Sequence, residues 1–120
     1  MEARQTGPRL RVLLGEAIAL GPGKSRLLGE IDKTGSISAA ARAMEMSYRR
    51  AWLLVAEMNS AFRSPLVISG AGGRQGGGAV VTDFGRRVLA KYLAMEAKAT
   101  RALSADMAAF EKYLKRPVSG

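Results

Sequence analysis

The chain is 120 residues long with a formal net charge of +9, enough for one domain with a modest core and suited to a polyanionic partner. It contains neither Cys nor His, which excludes disulfides and a cysteine–zinc site and removes the usual general base and the commonest metal ligand. No apolar run approaches the ~20 residues of a membrane span, and polar residues precede and interrupt the first apolar run, so neither a membrane partner nor a signal peptide is expected and the location is expected to be cytoplasmic.

Residues 1–8 read as a frayed terminus. Two short apolar runs, over 10–14 and 17–20, are split by Gly15-Glu16 and suit a small hairpin or one bent strand. Gly21-Pro22-Gly23 is a breaker. Leu27, Leu28 and Ile31 then fall at helical spacing, and Lys33 followed by Gly35 marks the helix end. Ser36 is placed to cap an alanine-rich helix containing Ala39, Ala40, Ala41 and Ala43. After the interruption at Glu45-Met46, Ser47 caps a second helix that begins Tyr48-Arg49-Arg50. Small residues at the crossing let two steeply inclined helices come close, which is the pattern of a helix-turn-helix. Ala51, Leu54, Val55 and Met58 share one face and form its expected core side. Arg63-Ser64-Pro65 closes the helix, strands follow over 66–68 and 79–82, and a glycine-rich tip separates them.

A helix-turn-helix followed by a hairpin is a winged helix, expected over residues 21–82 with an N-terminal tail and short strands over 1–20. Thr82 or Asp83 can cap the last element, a helix over about 84–114 within a segment 83–116. Its apolar residues Val88, Tyr92, Met95, Ala99, Leu103, Met107, Phe110 and Leu114 step by three or four. Some 30 residues reach ~45 Å, more than a small domain covers. The economical partner for the stripe is the same helix of a second copy, giving a homodimer; the alternative is a fold back onto the N-terminal strands. The expected fold class is therefore mainly α with a small β wing, a winged helix-turn-helix followed by a long C-terminal dimerisation helix.

Charge is concentrated on the motif. Arg42, Arg49, Arg50, Arg63, Arg74, Arg86, Arg87 and Lys91 face only Glu45, Glu57 and Asp83 over the same stretch, and arginine suits phosphate and guanine edges. Cations in the first turn of a helix oppose its dipole, so Arg49 and Arg50 imply an anionic partner. Double-stranded DNA is the expected one, contacted by Ser47, Tyr48, Arg49 and Arg50 in the first turn of a recognition helix and by Arg74 and Gln75 on the wing. Trp52 can face DNA or pack on the long helix, and packing is favoured for so large a ring. Lys24, Arg26, Arg42, Arg86 and Arg87 are further candidates for phosphate. The glycine tip lacks the Lys-Ser/Thr of a P-loop and runs into a strand, so it is not read as a nucleotide site. Carboxylates form no evident pair and hydroxyls lack a histidine, leaving only a lysine base; no enzyme and no cofactor are expected.

The run Gly35-Ser36-Ile37-Ser38-Ala39-Ala40-Ala41, then Met46-Ser47-Tyr48-Arg49-Arg50-Ala51-Trp52 and Glu57-Met58-Asn59, resembles the N-terminal DNA-binding domain of ModE-type molybdate-responsive regulators. The glycine stretch from Gly72 to Ala79, with Val81-Thr82 and Phe84-Gly85, is similar to that family's wing. The likeness runs over about residues 10–110, while the helix-turn-helix alone also resembles LysR-type regulators. It implies a dimeric repressor or activator on a near-palindromic operator, with Ser47, Tyr48, Arg49, Arg50 and Arg74 as contacts, and control of molybdate transport or molybdoenzyme genes. Members of that family continue into C-terminal molybdate-binding domains, whereas this sequence ends at Gly120, so molybdate is not expected to bind this chain. A non-specific nucleic-acid-binding protein and a protein-docking winged helix are the competing readings.

Overall fold

The structure, a computed structural model, describes residues 9–15, 17–70 and 78–115. In chain order it has strands β1 (Val12–Leu14) and β2 (Ala17–Leu20), helices α1 (Pro22–Thr34), α2 (Ile37–Ala43) and α3 (Tyr48–Ala61), strands β3 (Val67–Ser69) and β4 (Ala79–Val81), and helix α4 (Asp83–Phe110), which ends in a 3-10 turn, Glu111–Tyr113. The N-terminal runs form a hairpin rather than one bent strand.

Local chemistry sets the helix ends. Gly35 adopts φ +71, the left-handed conformation that glycine takes without steric cost, and its N–H closes α1 on the Ile31 carbonyl at 2.7 Å. The Ser36 hydroxyl accepts the Ala39 N–H at 3.0 Å, and the Ser47 hydroxyl accepts the Arg50 N–H at 3.0 Å. Between them Glu45 takes φ +57 and the Met46 N–H returns to the Ala41 carbonyl, making the tight turn between α2 and α3. Ala40, Ala41 and Ala51 are buried where the helices cross. A larger residue at any of them would push α3 off its seat.

Leu27, Leu28 and Ile31 of α1 form the centre of one core with Leu20, Ile37, Val55, Met58, Leu66 and Val81. The wing enters that core through alternation: Ala79 and Val81 point in while Val80 points out. β3 and β4 pair antiparallel in the register Val67↔Val81, Ile68↔Val80, Ser69↔Ala79. On its other side the Ala79 N–H donates to the Gly35 carbonyl, and Ser36 bridges to Gly78, so the wing is tied to the turn between α1 and α2.

Thr82 is the hinge into α4. Its hydroxyl accepts the Gly85 N–H at 2.9 Å and donates to the Pro65 carbonyl at 2.8 Å. Further along, the buried Tyr92 places its hydroxyl 2.7 Å from the Leu10 carbonyl and 3.1 Å from the Glu96 carboxylate, fastening the N-terminal segment to α4. Burial first, and then the Glu96 carboxylate, push its pKa up to about 12.

α4 packs on α1 and β4 through its first turns. Val88 and Leu89 lean on the core and Tyr92 enters it, but Leu93, Met95, Leu103 and Phe110 are exposed. The N-terminal hairpin meets α4 at a groove of about 310 Å³ whose lining includes Val12, Leu20, Phe62, Val88, Tyr92 and Met95; among the described residues that lining reaches no further along α4 than Met95. The protruding helix stretches the molecule to 52 × 32 × 23 Å.

Candidate nucleic-acid interface

At 100° per residue, Ala51, Val55 and Met58 aim one face of α3 into the core, where all three are buried. The face opposite carries Arg49, Leu53, Ala56 and Ser60. Tyr48 and Trp52 stand on one flank, the flank that ends at Asn59 beside β3; Arg50 and Glu57 stand on the other, toward the start of α1. Ser47 serves as the N-cap of this helix, while Tyr48, Arg49 and Arg50 are exposed at its first turn. Arg74 and Gln75 lie outside the described residues.

Ion pairing sorts the remaining cations. Lys24 is 9% exposed, bonds the Ile18 carbonyl and pairs with Glu57 at 3.0 Å. It is a buried tether between β2, α1 and α3, not an accessible phosphate contact as the sequence suggested. Arg86 is shared between Asp32 and Asp83, each at 3.2 Å, and Lys33 pairs with Glu30 at 3.6 Å. Arg63 lies over the Phe84 ring at 5.0 Å. Among the described residues, Arg42, Arg49 and Arg50 form no ion pair. The first turn of α3 has no acidic residue either. Three guanidinium groups on the helix-turn-helix thus keep their full charge toward solvent, which is the arrangement an anionic polymer would satisfy.

Trp52 corrects the expectation that it packs on the long helix. It is 47% exposed, because the inward face of α3 is filled by Ala51, Val55 and Met58 and α4 packs on α1 and β4 instead. Together with Tyr48, one helical turn earlier, it sets an exposed aromatic pair beside the arginines. Beyond the other flank lies an open groove of about 930 Å³, whose lining includes Ile18, Met46, Arg50 and Leu53.

Asn59 plays a part that the sequence reading missed. Its side-chain oxygen accepts the N–H groups of Leu66 at 2.8 Å and Val67 at 3.2 Å, and its amide donates to the Val67 carbonyl at 3.0 Å. All its partners are backbone atoms, so no residue-type pattern could have announced it.

The family described as "Bacterial regulatory helix-turn-helix protein, lysR family" matches residues 24–86, from α1 through the wing to the first turn of α4. The "Molybdenum transport protein ModE" of Azotobacter vinelandii is 46% identical over 85 residues, covering 71% of this chain and 32% of that protein. The "Molybdenum-pterin-binding protein MopB" of Rhodobacter capsulatus is 44% identical over 95 residues, covering 79% of this chain and 34% of that protein. The "DNA-binding transcriptional dual regulator ModE" of Escherichia coli K12 is 37% identical over 83 residues, covering 69% and 32%. The chain spans about a third of the length of these relatives. Matched over more than half of its length, it belongs to the lysR-type family of bacterial regulatory helix-turn-helix proteins.

Proposed function

We propose that this chain is a sequence-specific DNA-binding module of a ModE-like transcriptional regulator, working as a homodimer on a near-palindromic operator. The observation that carries the reading is the exposed, carboxylate-free first turn of α3, with Arg49 and Arg50 at its tip and Arg42 nearby on α2. That turn enters the major groove, Arg49 reading a base edge and Arg50 or Arg42 a phosphate. Ser47 and Tyr48 flank the same contact, and Arg74 and Gln75 extend it from the wing into the neighbouring minor groove. The apolar outer half of α4 joins two copies. The names of the Azotobacter and Rhodobacter relatives connect those proteins with molybdenum, and on that ground the regulated genes are proposed to serve molybdate transport or molybdoenzymes. Footprinting on the genome and inspection of the neighbouring genes checks that last assignment.

The direct test is affinity for a duplex selected by the protein from a random-sequence pool, compared with an unrelated duplex at the same salt. A regulator binds the selected site ~10³-fold or more tightly. A ratio near one favours the non-specific reading, and absence of duplex binding favours a protein-docking role. Arg49→Ala is expected to weaken binding to the selected site by about tenfold or more, the worth of ~1–3 kcal/mol for a bidentate base contact. An unchanged affinity removes Arg49 from the contact surface.

A further inference from the structure

We propose that Asn59 is the positioning residue that holds the wing in register with the recognition helix, so that both reach DNA together; this rests on the DNA-binding reading above. β3 has two edges. One is occupied by β4, through the Ile68↔Val80 pair and the Thr82 N–H on the Leu66 carbonyl at 2.9 Å. The other is occupied by Asn59, which takes both the N–H and the C=O of Val67 and the N–H of Leu66. The carboxamide therefore does for this edge what a neighbouring strand would do, pairing the donor and the acceptor of one residue at once.

Asparagine is the residue type that this task demands. Aspartate keeps the acceptor but loses the donor and sets a negative charge against the Val67 carbonyl. Glutamine carries the amide one methylene too far, and an aliphatic residue leaves two amides and a carbonyl at a half-buried edge without partners. The chain alone does not impose the same orientation. Phe62 to Leu66 bring β3 back to α3, but a backbone link of five residues permits a range of hairpin angles. Nor is Asn59 the seat of the wing's stability, because Leu66, Val67, Ala79 and Val81 are buried in the common core without its help. What Asn59 adds is a rigid three-point joint between the last turn of the helix that carries Arg49 and the strand that leads to the wing tip. Binding geometry held by such a joint loses affinity when the joint loosens, even though no contact to the ligand is deleted.

The experiment compares wild type, Asn59→Ala and the near-isosteric Asn59→Asp on the selected duplex, by dimethyl sulfate protection at guanine N7 for the major groove, by hydroxyl-radical footprinting for the minor groove, and by amide hydrogen exchange of the free protein. Asn59→Ala is expected to bind about tenfold more weakly, roughly the worth of one or two lost hydrogen bonds. Protection of the flanking minor groove should disappear at protein concentrations where major-groove protection persists. In the free protein the Leu66 and Val67 amides should exchange faster while the α3 amides stay slow. Asn59→Asp, which retains the acceptor, should fall between the two in all three measurements. Footprints that weaken in step, footprints that do not change, or unaltered exchange at Leu66 and Val67 overturn the proposal. So does loss of the whole fold in both variants, which would make Asn59 a folding residue. If wild type protects no specific site, the DNA reading fails, while the exchange measurement still decides whether the joint exists.

Discussion

Gly85 sits where α4 crosses the start of the wing, and the crossing leaves no room for a side chain. A Cβ there would lie 2.4 Å from the Leu66 carbonyl oxygen and 3.0 Å from Val81 Cγ1. The carbonyl cannot retreat easily, because it accepts the Thr82 N–H. Gly85→Ala should therefore cost about 1–3 kcal/mol despite alanine's better helix propensity, seen as a lower midpoint in denaturant; an equal or higher midpoint would show that α4 is free to shift. Tyr92 makes a different prediction. Its pKa, pushed up to about 12 from the ordinary 10, means that the folded state prefers the neutral phenol. The stabilisation is fully present below pH 10 and is lost as pH rises toward 12. Tyr92→Phe forfeits the bond to Leu10 and should be less stable at pH 8, with the gap to wild type narrowing between pH 10 and 12. A gap that stays constant over that range would mean that the hydroxyl is not held as described. The caps at Ser36 and Ser47 were legible in the sequence, and that of α4 was narrowed to Thr82 or Asp83 and falls on Thr82, since a hydroxyl bonding the N–H three residues on is a local event. Lys24, Trp52 and Asn59 were not, because burial and pairing there depend on elements distant in the chain.

The elements were the most legible level, with helical spacing, Gly35 and the glycine-rich tip marking their limits. The structure moved only edges: α4 stops at Phe110 and tightens into a 3-10 turn, and β3 starts at Val67. The apolar stripe of α4 was visible as spacing, but spacing alone could not say which of its residues the domain itself covers. Val88 and Tyr92 are covered; Met95, Leu103, Phe110 and Leu114 are 38–54% exposed. A second copy burying such residues gains ~1.5–3 kcal/mol for each large side chain fully removed from water. Wild type is thus expected to sediment as a dimer at micromolar concentration, with a thermal midpoint that rises with protein concentration. Leu103→Glu should give a monomer whose midpoint does not depend on concentration. Its winged-helix core should keep its near-ultraviolet circular dichroism, since Leu103 lies outside that core. A wild-type chain that sediments as a monomer would remove the role assigned to α4.

The proposed pairing through α4 makes a prediction about the whole molecule, because it would couple two recognition turns at a fixed separation. Each copy carries +9, so one copy alone is expected to show non-specific attraction for a duplex that falls steeply with salt. What a dimer adds is the second half-site at high effective concentration, worth ~10²–10⁴ in affinity when the geometry allows both to engage. Half-sites read by paired recognition helices lie about one helical turn, or a multiple of it, apart. Inserting five base pairs between the halves of the selected operator rotates one half by about half a turn, carrying its major groove to the opposite side. Wild type should then bind no better than it binds a single half-site. Leu103→Glu should show that same weaker affinity on the intact operator, the spaced operator and the half-site alike, while retaining its base preference within each half. The comparison separates two proposed sources of specificity, since an arginine-bearing turn would act within one protomer and a spacing requirement would arise only from joined helices. If Leu103→Glu kept the spacing requirement, the two copies would have to be joined through the helix-turn-helix itself, and the exposed stripe of α4 would be available to another partner.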